Sequence, residues 1–117
     1  MENKNTGFGR VAPADAPEFA ECTLTVHNGA VESAAFTCSE NETLRLCAQT
    51  LCGAICGFPA ADLMQMNNNV IYYNMEKELA RGELYLASMC VLAAKRAAAD
   101  WLRKNGLPVP GDACCCD

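Results

Sequence analysis

Nine cysteines in 117 residues are the part of this chain with chemistry in it. Residues 1–7 hold no hydrophobic stretch of the secretory kind, so a cytoplasmic, reducing setting is expected. An odd number of thiols there suits a disulfide framework poorly and points to packing, soft-metal binding or sulfur chemistry. Cys38 leads the candidates. It ends a strand pattern and directly precedes a helix start, where unpaired N–H groups and the positive dipole end favour a thiolate. The same argument reaches Cys90 if the last helix begins near Ala87, although Cys90 also belongs to that helix's apolar stripe. Cys22 shares an alternating face with Leu24 and Val26; burial is its plainer reading, but beside Cys38 it would complete a site. Thiolates from Cys38, Cys90 and Cys22 suit a [2Fe–2S] cluster or zinc.

The remaining thiols carry less. Cys47 and Cys52 fall on the core stripe of their helix. Cys56 stands four residues after Cys52, a spacing that can chelate a metal, yet at a helix C-terminus, where the dipole disfavours thiolate. Cys114, Cys115 and Cys116 follow a Pro/Gly stretch and read as a reactive tail able to lend one ligand. His27, at a hairpin tip, reads as a surface residue, so a Cys–His nucleophilic dyad has little support. No Gly-rich phosphate loop, His-based zinc-protease motif or serine elbow occurs, and Glu76, Glu78 and Glu83 read as a solvated helical face. This favours a carrier over an enzyme. The net charge of −5, with basic residues clustered only at Lys95, Arg96, Arg103 and Lys104, argues against nucleic acid. The longest apolar run is far short of a membrane span.

The elements that must position these thiols are partly legible. Residues 1–19 show no sustained period and read as an irregular arm. Alternation over 21–27, the turn pair Asn28-Gly29 and a second run over 30–37 predict a hairpin in which Val26 opposes Val31 and Leu24 opposes Ser33. That register puts Phe36 on the wrong face unless a bulge re-aims it or both faces are partly covered. A helix capped by Ser39 or Asn41 follows, with Leu44, Cys47, Ala48, Leu51, Cys52 and Ile55 facing a core, until Gly57 and Pro59 stop it. A short helix over 59–66, a polar break at Asn67-Asn68-Asn69, a brief helix over 74–80 and a long helix over 83–104 complete the domain. Residues 106–117 read as linker and cysteine-rich tail. Strands then helices predict an α+β fold, a small antiparallel hairpin or sheet followed by a helical C-terminal half.

Over residues 20–105 the order of these pieces resembles the IscU/NifU N-terminal scaffold family. The likeness rests on the hairpin from Leu24 through His27-Asn28-Gly29 to Phe36, on Cys38 at the place of the family's second cysteine, and on the closing helix Val91-Leu92-Ala93-Ala94-Lys95-Arg96 through Asp100-Trp101-Leu102. The resemblance implies a scaffold for iron–sulfur cluster assembly, receiving sulfur from a cysteine desulfurase and passing clusters to acceptor apoproteins. The family's SufU-type members bind zinc and accept sulfur, which implies as an alternative a sulfur-transfer protein with Cys38 as nucleophile. A member that has lost its site would be an interaction module. The sequence departs from the pattern in three places. No Cys-Gly-Asp motif occurs near Ala16 to Glu18, the third cysteine aligns best with Met89 unless a one-residue slip before the helix restores Cys90, and Ala80-Arg81-Gly82-Glu83 replaces the chaperone-docking motif.

Overall fold

Asn28 and Gly29 both adopt positive φ, 53° and 80°, and so close the two-residue turn that their types predict. The turn joins β2 (Ala20–His27) to β3 (Ala30–Cys38) in the computed structural model, which describes residues 5–75 and 78–109. Val26 opposes Val31 as expected, but a bulge between Thr25 and Val26 then shifts the register by one, so that Leu24 opposes Ala34 rather than Ser33. The shift re-aims the far half of β3: Ala34, Phe36 and Cys38 now oppose Leu24, Cys22 and Ala20, on the face that meets the helices.

The arm read as irregular contains a strand. β1 (Thr6–Val11) pairs antiparallel with β2 and completes a three-stranded sheet ordered β1-β2-β3. Its inward positions are Gly7, Gly9 and Val11, so it lacks the side chains whose alternation would betray it. The molecule is a small α+β fold, with α1 (Glu42–Ile55), α2 (Asn69–Tyr72), α3 (Leu84–Lys104) and two short 3-10 segments following the strands.

The helix α1 begins at Glu42, and Asn41 rather than Ser39 caps it: Leu44 N donates to Asn41 Oδ1 at 3.0 Å. Ser39 has another task, its Oγ accepting from Phe19 N at 3.1 Å. Asn41→Ala should therefore lower the stability to urea unfolding by about 1 kcal/mol, while Ser39→Ala leaves the helix cap intact. Leu44, Cys47, Ala48, Leu51 and Ile55 are buried, as their spacing requires.

Three short segments differ from expectation. The segment 59–66 is a 3-10 turn over Ala60–Gln65, and the asparagine break is itself where α2 starts, with Asn67 Oδ1 accepting from Asn69 N at 2.9 Å. The helix expected over 74–80 is absent from its described residues, 74–75 and 78–80. Glu83 is not a free solvated carboxylate, for Thr43 Oγ1 and Ala80 N both donate to it at 3.0 Å and tie the entry of α3 to α1.

The long helix α3 lies across β1 and β2, burying Cys90, Val91, Ala94, Ala97 and Ala98. Its polar row also covers the open edge of β1. Arg96 Nη1 donates to Arg10 O at 2.8 Å, Phe8 N donates to Asp100 Oδ2 at 2.9 Å, and Lys104 Nζ donates to Thr6 O at 3.2 Å. Four helical residues advance about 6 Å and two strand residues about 6.7 Å, so a helix row at every fourth residue stays in step with every second strand residue. An edge whose hydrogen bonds are taken this way is closed to further strand pairing. Among the described residues, no helix is long and apolar enough to cross a membrane.

Candidate functional site

The sulfurs gather where β2, β3, α1 and α3 meet. Cys38 is the last residue of β3 and is half-buried on the core side, opposite Ala20. Three residues separate it from the start of α1, and Asn41 Oδ1 takes up the Leu44 N–H in the first turn of that helix. The dipole end therefore lies farther from Cys38 than a helix starting directly after it would have placed it. What Cys38 has instead is access. With Phe36, Arg45, Ala48, Gln49 and Cys52 it lines a groove of about 610 Å³ between the outer half of β3 and α1. The loop at Gly57–Pro59 seals only the hairpin end of β3, where Val31 N donates to Phe58 O and Gly57 N to Val31 O, both at 2.8 Å.

Cys90 is fully buried. The helix α3 begins at Leu84 rather than near Ala87, so Cys90 sits in its second turn, beyond the strongest part of the dipole. Its S–H points at Leu44 O, 3.8 Å away on α1. Burial pushes its thiol well above the ordinary range, with Cys47, Cys38, Cys22 and Cys52 adding like-charge repulsion in that order.

Cys22 is fully buried on the inner face of β2. Desolvation, with a contribution from Cys52, lifts its thiol from 9.0 to about 12. So one of the three sequence candidates opens to a groove, and two stand behind it as neutral thiols.

Cys52 is the residue that the sequence undervalued. Its place on the helix stripe predicted packing, but it is half-buried and lines the groove, because it stands at the margin of the stripe formed by Leu44, Cys47, Ala48, Leu51 and Ile55. Desolvation and then Cys56 raise its thiol to about 11. Cys56 is exposed, and its S–H donates to Cys52 O at 3.1 Å. Cys47 is buried. His27 is exposed at the hairpin tip. Cys114, Cys115 and Cys116 lie outside the described residues, as does Glu76.

Near Ala16 to Glu18, where the resemblance puts a first cysteine, the side chain with a partner is Glu18. Loss of water, then the charge of Glu18 and its hydrogen bond, raise the Tyr85 hydroxyl above its ordinary value, so β2's lead-in is linked to the first turn of α3. Met89, the alternative to Cys90, is buried on the same helix.

Among the described residues no three histidine, cysteine, aspartate or glutamate side chains converge as a metal ion requires. The buried pair Cys22 and Cys90 does not fit a resident zinc ion, which takes deprotonated ligands in a tetrahedral set. No protein-family model matches the chain, and no curated protein matches it either.

Proposed function

We propose that the protein is a carrier of the iron–sulfur assembly kind, related to the IscU/NifU scaffolds, that takes up its cargo at Cys38. The observation that carries this reading is that Cys38, at the end of β3, is half-buried and reached through the groove, while Cys22 on β2 and Cys90 on α3 are buried. Of the three thiols named for a scaffold, Cys38 is the one open to the groove. The cargo is a nascent [2Fe–2S] cluster or zinc, handled as a passenger. Partial enclosure suits a passenger that has to leave, since a fully closed set would hold it. Cysteine desulfurases and acceptor apoproteins are the partners this reading implies.

A second reading has one observation in its favour. Arg45 lines the same groove as Cys38 and supplies a positive charge for an anionic sulfur adduct. In that version the Cys38 thiolate attacks the outer sulfur of a donor persulfide, a new S–S bond forms on Cys38, and the donor cysteine leaves as thiolate. No net oxidation occurs.

Iron, zinc and acid-labile sulfide measured in anaerobically purified protein test both. We expect iron with matching sulfide in the wild type and background levels in Cys38→Ser. Zinc alone, with a persulfide on Cys38, would replace the scaffold by the sulfur-transfer reading. Neither metal nor persulfide in either protein would leave an interaction module, and the carrier reading would fail.

A further inference from the structure

The proposed carrier role makes no use of Cys52 and Cys56, although Cys52 lines the same groove as Cys38. Four residues apart at the end of α1, the two side chains lie on one face, and the Cys56 sulfur already reaches back to within 3.1 Å of the Cys52 carbonyl oxygen. Cys56 is exposed and Cys52 half-buried at the groove, so an ion can arrive from solvent without opening the core. Cys56 is the C-cap residue, with extended backbone (φ −62°, ψ 131°), and Gly57 turns the chain away at φ 91°. Its side chain stays exposed and bends back toward the last turn of α1.

We infer that Cys52 and Cys56 form a two-sulfur site for a soft monovalent d¹⁰ ion, Cu(I) above all. Two thiolates from adjacent turns satisfy such an ion, whose preferred coordination is low and near-linear. Zinc, which needs four ligands, finds only half a set here. Binding displaces the thiol protons, one from each sulfur, and leaves the oxidation state of copper and sulfur unchanged. Cys52 shares the groove with Cys38, but the site does not use Cys38 and stands whether or not the carrier reading does.

The test uses the full chain with Cys114→Ser, Cys115→Ser and Cys116→Ser as background, because a cysteine-rich tail would itself take copper. The reduced protein is titrated anaerobically with Cu(I) against a chromogenic Cu(I) chelator. We expect one Cu(I) with sulfur-only coordination by X-ray absorption. Cys56→Ser, a surface change that leaves the fold intact, should weaken binding by more than ~100-fold, beyond the tenfold to hundredfold typical of losing an outer-shell partner. Cys52→Ser should do the same, and Cys38→Ser should leave the affinity unchanged. If no Cu(I) binds, if Cys56→Ser binds as tightly as its parent, or if Cys38→Ser abolishes binding, the site is not this pair.

Discussion

Gly9→Ala should destabilise the protein by about 3 kcal/mol, the upper range of what overpacking costs. A methyl group built on Gly9 would stand 2.3 Å from Ala93 O, 2.5 Å from Ala97 N and 2.7 Å from Arg96 Cβ. The first two are helix backbone and cannot swing aside as a flexible side chain would. Gly7 is no roomier, with Ala97 O at 2.1 Å from its would-be Cβ. Small residues on both sides, Gly7 and Gly9 below and Ala93 and Ala97 above, let α3 sit directly on the β1 backbone. Adding Cβ lifts α3 and strains all three hydrogen bonds of the Arg96, Asp100 and Lys104 row together. Gly53→Ala is the control: Gly53 lies within α1 with nothing within 4 Å of an added Cβ, so there alanine should add about 0.5–1 kcal/mol of stability. Urea unfolding of the three proteins decides it, and equal midpoints for wild type and Gly9→Ala would refute the close seating. The consequence reaches the thiols, because α3 carries Cys90 and its depth on β1 sets how far that sulfur is sunk.

This strand also marks where sequence reasoning stops. The hairpin, α1 and α3 were legible because side chains with a Cβ repeat at periods of two or between three and four, and because Asn28-Gly29 specifies its own turn. Nothing in Thr6 through Val11 repeats in that way. The inward residues are mostly glycine, and their merit, close approach to an alanine face some ninety residues away, is visible only once both are placed. The bulge at Thr25 was hidden for a related reason. Phe36 signalled that a simple register fails, yet the choice between a bulge and a sheet covered on both faces needed the helices. Cys38 could be singled out, but the reason given, a helix dipole, was the weaker one. Its access depends on where α1 runs relative to β3, which no spacing encodes. That Cys90 is buried with its sulfur on Leu44 O of α1 is likewise a property of the packing, drawn from distant segments.

Raising the pH should unfold this protein in a window set by its buried thiols. Cys22 ionises at about 12 in the fold against an ordinary 9.0, and burial likewise raises Cys90. Below the ordinary value both folded and unfolded chains hold the proton, and the stability contributed by the neutral buried thiol is fully present. As pH rises, the unfolded chain releases its proton first, the folded chain binds more protons, and stability is lost until the folded value is passed. For Cys22 alone the loss is about 2 kcal/mol at about pH 10.5. Cys52, raised to about 11 but half-exposed, contributes far less. Urea midpoints at about pH 7, 9 and 10.5 should be flat over the first interval and fall over the second, with a shallower fall in Cys22→Ala. Lysines and tyrosines titrate alike in both proteins, so parallel curves would mean that Cys22 is not held neutral by burial. The same protonation governs reactivity at neutral pH. Among the described cysteines, an alkylating reagent should reach Cys38, Cys52 and Cys56 in the folded protein, and Cys22, Cys47 and Cys90 only after unfolding. In the carrier role proposed above, that ordering leaves Cys38 to meet incoming cargo while Cys22 and Cys90 stay buried and protonated.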